Sequence, residues 1–528
     1  MGREWWRTAV VYQVYLRSFA DGNGDGVGDI PGLRSRLAHL VTLGVDALWI
    51  TPHYPSPMAD HGYDVADYRG VDPLFGTLAD LDGLVADAHA ADLRVLLDLV
   101  PNHTSDQHPW FLEARADPAS PARSRYLFRD GRGRGGSEPP NNWRSVFGGP
   151  AWTRESEEGQ WYLHLFAKEQ PDLDWSSPEV GDELEGVLRF WLDRGVDGFR
   201  IDVAHGLAKH PDLPDNPVAE AGTDPFAEMD RIHTFDQDGV HDIWRRWRAV
   251  ADGYDGDRVL VGEVFLYDPH RVARYVRPDE LHLAFGFLLL GQRWEAAGWR
   301  WAIDQSTVAL DAVGSPASWV LSNHDLARHV SRYGGGELGR RRARAALLIS
   351  LGLPGAAFLY AGEELGLEEV DVPEAARQDP LWLNSGGAHA GRDGCRVPLP
   401  WSADLRACGF SETEPWLPQP AGWGDCSVAA QIGDPASMLS FYREVLTARR
   451  AIIAEAGDTW GWLDGPEDVL VIARGDRWLL AVNMASAPVE VPLAWEATTV
   501  VSSGPAAAAV EGRMLRLGVD GGAWLRRA

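Results

Sequence analysis

LADLDGLVADAHAADLRVLLDLVPNH, residues 78–103, reads as two elements in succession. Leu78, Leu81, Leu84, Val85 and Ala88 recur every three or four residues, the spacing of one helix face. The run that follows, VLLDLV at 95–100, is too short for a helix and suits a strand buried on both faces of a parallel sheet. The same rhythm recurs along the chain. Further short apolar runs stand at 10–15, 47–50, 198–201, 259–262, 283–285, 319–321 and 357–360, with amphipathic stretches such as GELGRRRARAALLISLGL between them. Eight strand–helix units predict an α/β fold of the (β/α)8 TIM-barrel type.

The rhythm breaks once. Residues 104–175 are rich in Gly, Pro, Asn and Trp, as in GRGRGGSEPPNNW. This predicts a subdomain inserted after the third strand, at the barrel face whose loops build active sites. After the helical stretch SMLSFYREVLTARRAI the pattern shifts to short alternating segments, DVLVIAR, WLLAVNM and MLRLGV. The predicted organisation is a catalytic barrel from 1–103 and 176–454, the insert at 104–175, and a C-terminal antiparallel β domain, a β-sandwich, at 455–528.

Composition narrows the partners. The net charge of -28 repels nucleic acid and anionic membranes, so neither is an expected partner, and a neutral substrate fits. Lysine occurs only at 168 and 209, which reads as base-composition bias. Cys395, Cys408 and Cys426 are odd in number and lack metal-type spacing, as in a reducing compartment. The N-terminal MGREWWRTAVVYQVY has no apolar leader core, and no run reaches the ~18 apolar residues that span a bilayer. A cytoplasmic location is the expectation. Monomer and homodimer stay equally open.

Four of the predicted strands lead into an acid or a histidine. DLVPNH ends at His103, GFRID at Asp202, GE at Glu263 and WVLSNHD at Asp325. A single acid after a strand is commonly a helix cap. Three at strand ends, with His103, Arg200 and His324 beside them, form a much rarer coincidence. Paired carboxyls, one protonated and one ionised, are what glycosidic cleavage requires.

Those four segments, in that order, resemble the signature regions of glycoside hydrolase family 13, the α-amylase family. The resemblance runs from VYQVYLRSFAD to the C-terminal β domain. QPDLDW at 170–175 and RDGCRVPLPW at 392–401 are similar to the subgroup of α-glucosidases, oligo-1,6-glucosidases, sucrose isomerases and trehalose synthases, and the look is that of actinobacterial α-glucosidases. The resemblance implies Asp202 as nucleophile, held ionised by Arg200, Glu263 as acid/base and Asp325 as transition-state stabiliser. It implies that His103 and His324 bind hydroxyls of the terminal glucose. Within MADHGYDVADY it implies Asp60 near the 4-hydroxyl, paired with Arg392, and Tyr63 as a ring under the sugar. Such a pair closes the pocket and makes the enzyme exo-acting. Phe147 and Phe166 fit either the entrance or the core of the insert. Arg396 reads most simply as a loop charge.

DGNGDGVGD at 21–29 alternates oxygen donors with glycines, as a loop around a hard cation does. Asp21, Asn23, Asp25 and Asp29 would offer side chains and Val27 its carbonyl, for a structural Ca2+ or Mg2+ away from the catalytic face; an Asx-turn without metal is the plainer alternative. No organic cofactor is expected. The resemblance implies release of glucose from short α-glucosides, with transfer to a sugar acceptor as a possible accompaniment. Val203 after the nucleophile accompanies α-1,6 specificity in this subgroup, whereas GFRIDVAHGLAK and GCRVPLPW favour α-1,4. Oligo-1,6-glucosidase, sucrose isomerase and trehalose synthase are the neighbouring alternatives. A non-catalytic transporter heavy-chain ectodomain, which shares the barrel, needs a span and generally lacks the acids retained here.

Overall fold

The computed structural model describes residues 4–157, 159–218 and 229–528. Chain order runs β1 (Val10–Val14), β2 (Ala47–Ile50) and β3 (Arg94–Leu99), then β4 (Phe128–Arg129), β5 (Trp152–Arg154) and β6 (Trp161–Leu163). It continues through β7 (Gly198–Ile201), β8 (Val259–Gly262), β9 (Leu283–Ala284), β10 (Ser318–Val320) and β11 (Ala356–Tyr360). Eight of these form one sheet in the order β10-β11-β1-β2-β3-β7-β8-β9, every neighbouring pair parallel. The two edges are joined by the Ser318 hydroxyl, which donates to the Ala284 carbonyl at 2.5 Å, so the sheet is a nearly closed barrel. Each predicted run forms its strand, within a residue or two at the ends.

The helix Leu78–Ala90 shows why the local sequence folds as it does. Thr77 and Asp80 make a reciprocal capping box at its start, and Leu81, Leu84, Val85 and Ala88 are buried. Along each strand side chains alternate. Val11, Trp49, Leu96, Val261, Val320 and Phe358 belong to one buried cluster in the barrel, while Tyr12, Leu48, Leu97 and Phe199 pack against the surrounding helices. The same alternation carries Asp98, Arg200 and Asp202 inward above that cluster, and it sets the chemistry described below.

Between β3 and β7 lies a small antiparallel sheet, β4-β6-β5, with its own core around Trp143, Trp152 and Leu165. After the helix Met438–Ala456 come β12 (Trp460–Trp462), β13 (Val469–Arg474), β14 (Trp478–Asn483), β15 (Val489–Pro492), β16 (Ala497–Ser502), β17 (Ala508–Glu511), β18 (Met514–Leu517) and β19 (Gly522–Arg527). They form antiparallel sheets β12-β13-β14-β19-β16 and β15-β18-β17 with a shared core of Val471, Leu479, Leu515 and Leu525. Trp524 ties this region to the barrel, its indole donating to the Leu348 carbonyl at 2.9 Å. Among the described residues no helix is long and apolar enough to cross a membrane.

Candidate active site

Period-two alternation on β7 puts Arg200 and the following Asp202 on one inward column. Arg200 is buried among Trp49, whose ring centroid lies 4.9 Å from its guanidinium carbon, and Asp98 at 3.0 Å. Its Nη1 donates to Asp202 at 2.6 Å, and its Nη2 lies 2.9 Å from Glu263. Val203 then turns sharply, with φ +45°, a left-handed conformation that is costly for a β-branched residue. That turn aims its amide at Glu263, which accepts at 3.0 Å. Asp202 and Glu263 are thus fixed to one guanidinium although 61 positions separate them in the chain.

Arg200 favours the ionised form of Asp202, as the resemblance implies, but it works against burial and a neighbouring acid. Its charge is divided among Asp98, Asp202 and Glu263. Burial, then the charge of Glu263, push the Asp202 carboxyl well above the usual range, and Arg200 only opposes this. Burial likewise lifts Asp98 to about 6 against the pull of Arg200. Asp98 and Asp202 are thus harder to ionise than free carboxylates, and Arg200 is the charge that opposes this.

Asp325, just past β10, has the opposite environment. Arg392 Nη1 and Arg396 Nη2 donate to its Oδ1 at 3.0 and 3.1 Å. Burial disfavours its charge, but His324, Arg392 and Arg396 outweigh that and hold the carboxyl well below the usual range. Its Oδ2 is 3.4 Å from His324. The His324 ring stacks on Tyr63 (centroids 5.4 Å, 7° between planes) and on Tyr15 (5.6 Å, 24°). Tyr63 is pinned by its hydroxyl, 2.8 Å from His324 Nε2 and donating to Asp98 at 3.0 Å.

These groups line one cavity of about 350 Å³. At its far end Arg392 Nη2 donates to Asp60 at 2.8 Å, and Gln170 donates to the other Asp60 oxygen at 3.2 Å. Burial raises Asp60 to about 6 in spite of Arg392. His103 completes this end, 3.0 Å from Gln170, with burial lowering its imidazole to about 4. Phe147 lies under the Arg392 guanidinium at 5.0 Å, and Phe166 meets both Phe147 and His103. Both phenylalanines line the cavity, and Phe166 also packs against the core of the insert. Toward solvent the lining turns apolar, with Phe265, Phe287, Ile232 and Tyr267.

All the predicted catalytic and sugar-contacting side chains converge on this cavity, Arg200 from beneath it. Several partners escape a linear reading. Arg396 is buried and bonded to Asp325, not a loop charge. Gln13, 2.6 Å from His324 Nδ1, Asp98, Gln170 and Asp379, which accepts from Arg392, escape that reading too. Asp98 had a signal, an acid inside a buried strand, which has to be paired. Gln170 opens the QPDLDW segment but carries no contact signal of its own, and Gln13 and Asp379 mark no motif.

The 21–29 loop is curled by its own amides. Asp21 accepts from Asn23, Gly24 and Gly26, Asp25 from Val27, and Asp29 from Gly22, Asn23 and Gly32. Asp29 caps the helix Ile30–Ser35. Burial, with the charge of Asp21 adding to it, raises the Asp29 carboxyl, a repulsion that a cation would relieve. Among the described residues no three His, Cys, Asp or Glu side chains make a metal cluster. A cation here therefore needs Asn23 and the Val27 carbonyl as well as the acids, and this all-oxygen set fits a hard divalent ion. The loop is not remote from the site. Gly26 accepts from the Trp416 amide at 2.9 Å, and Trp416 packs on His61, the neighbour of Asp60, at 5.2 Å.

Barrel and acid-lined cavity together define the class, a barrel-type glycoside hydrolase. The family model of the alpha amylase catalytic domain matches residues 13–456, and the chain belongs to the alpha-amylase family. It is 41% identical over 465 residues to a probable alpha-glucosidase of Rhizobium meliloti, covering 85% of this chain and 83% of that one. It is 36% identical over 489 residues to an oligo-1,6-glucosidase of Parageobacillus thermoglucosidasius, covering 85% and 84%. The solved structure of an alpha-glucosyl transfer enzyme, XgtA, superposes with a TM-score of 0.93 at 38% identity and covers 100% of both chains.

Proposed function

We propose that this chain is an exo-acting, retaining α-glucosidase that releases glucose from the non-reducing end of short α-glucosides. The observation that carries the reading is the pairing of Asp202 and Glu263 on the Arg200 guanidinium, in a cavity that Arg392 and Asp60 close. The relatives named as glucosidases support it.

In the first step Asp202 attacks the anomeric carbon. The glycosidic C–O bond breaks, the leaving oxygen takes the Glu263 proton, and a β-glucosyl ester forms on Asp202. In the second step Glu263 takes a proton from water, whose oxygen displaces the ester and restores both acids. Asp325, kept ionised by its arginines, faces the sugar hydroxyls and the developing positive charge. Arg392 and Asp60 hold the far hydroxyls and leave no space for a further sugar unit, which makes release one glucose at a time.

On linkage the reading favours maltose-like α-1,4 bonds, with oligo-1,6-glucosidase, sucrose isomerase and trehalose synthase as alternatives. Transfer of the glucosyl group to a sugar acceptor is an accompanying reaction. The loop donors Asp21, Asn23, Asp25, Val27 and Asp29 would hold a Ca2+ or Mg2+ whose role is structural. The enzyme acts in the cytoplasm as a monomer or homodimer.

The test is an anomer-resolved NMR time course on p-nitrophenyl α-glucoside, with initial rates on maltose and isomaltose. α-Glucose as the first sugar released from the aryl glucoside, and a rate on maltose above that on isomaltose, are the expected results. β-Glucose appearing first removes the retaining mechanism, and a large excess for isomaltose removes the α-1,4 preference.

A further inference from the structure

Asp379 has no part in the sequence motifs, yet every charged contact at the closed end of the cavity leads back to it. It is fully buried, in the turn before the helix Pro380–Asn384. Its Oδ1 accepts from the Leu381 amide at 2.7 Å and caps that helix. Its Oδ2 accepts from Arg392 twice, from Nε at 2.6 Å and from the backbone amide at 3.1 Å, and lies 3.6 Å from Arg396 Nη1. Arg392 then has its two terminal nitrogens left, one on Asp325 and one on Asp60. Arg396 gives Nη2 to Asp325.

A guanidinium is a rigid plane on a flexible stem. Two bonds through Nη1 and Nη2 leave that plane free to tilt, and a tilt improves one bond as it breaks the other. A third, charge-assisted bond at Nε fixes the plane. The electrostatics agree with the geometry. Asp379 stays ionised at about 2 because Arg392 and Arg396 outweigh the cost of its burial.

We propose, resting on the functional reading above, that Asp379 is a positioning residue that locks the Arg392 fork and so sets the separation of Asp60 and Asp325 around the terminal sugar. Asp379 touches no substrate. It acts through Arg392, and the helix cap at Oδ1 is a separate, structural duty.

The cap and the lock can be told apart. Asp379→Asn keeps an oxygen for the Leu381 amide but presents an amide to Arg392 Nε, and Asp379→Ser keeps a cap but falls short of Arg392. Both variants are measured on p-nitrophenyl α-glucoside, alone and combined with Arg392→Ala. Loss of one charge-assisted bond is expected to lower kcat/KM roughly ten- to hundredfold, mainly through KM. In the Arg392→Ala background the same substitution is expected to change kcat/KM by less than about twofold, since the interaction it disrupts is already gone. KM within about twofold of wild type in the single variant overturns the proposal, as does a full loss that persists without Arg392. Should one variant fail to fold, the other carries the cycle. Wild-type turnover of the same glucoside tests the functional reading separately.

Discussion

Arg200 and Glu263 meet at 2.9 Å across two neighbouring strands, while the other end of the same guanidinium holds Asp202 at 2.6 Å. One cation therefore sets the spacing of the two carboxyls and also rations the positive charge they share. A retaining hydrolase needs one of the pair protonated and the other ionised at the same pH. Arg200 is the cation shared by both carboxyls and by Asp98.

Removing either carboxyl separates the two steps. Asp202→Asn should abolish turnover by on the order of 10⁴-fold or more, since no ester can form. Glu263→Gln should cost roughly 10²–10⁴-fold on maltose but much less on an aryl glucoside, whose leaving group needs no proton. Steady-state rates on the two substrates check this. Activity near wild type for Asp202→Asn would defeat the assignment.

Arg392→Ala leaves Asp60 and Asp325 with one guanidinium fewer in a buried setting. Stripping a partner from a buried ion pair costs about 3–5 kcal/mol. A lower urea midpoint together with a KM raised by at least about tenfold is expected. Unchanged chain-length selectivity between maltose and maltotriose would mean that the pair does not close the pocket.

Burial lifts Asp60 from its ordinary 3.8 to about 6. Across that window the unfolded chain has released the proton while the folded one keeps it, so this residue's contribution to stability falls as pH rises and levels off above about 6. Ionised Asp60 is also the form that accepts from Arg392 and from a sugar hydroxyl, so kcat/KM should rise as pH passes through about 6. Asp60→Asn should flatten both trends. Urea midpoints and kcat/KM followed from pH 4.5 to 8 read them out, and a variant profile of unaltered shape counts against the role.

A cation on the 21–29 loop predicts stabilisation by mass action. At a concentration a hundred times its Kd, Ca2+ should add about 2.7 kcal/mol to unfolding. Calorimetric Tm should rise with Ca2+, fall with a chelator, and cease to respond in Asp21→Asn/Asp25→Asn. A Tm indifferent to both additions leaves the loop as a set of Asx-turns.

The barrel was legible because its signals are local. Apolar runs of three to six residues and helix faces at Leu81, Leu84 and Val85 need no knowledge of distant partners, and strand-end acids follow from strand positions. Val203 illustrates where a linear reading stops. Its identity suggests a linkage preference, but its positive φ and its amide on Glu263 arise from how the turn after β7 lies against β8.

What the sequence determines by itself is thus the barrel, the insert and which residues line the cavity, because periodicity and strand order act over short stretches. What only the tertiary structure decides is the charge state of those residues. Asp202 is raised by burial and by Glu263, which comes from another strand, and Asp325 is lowered by His324 and by Arg392 and Arg396, which reach it from 67 and 71 positions away. Coulombic attraction and desolvation follow distance in space, which chain separation does not encode.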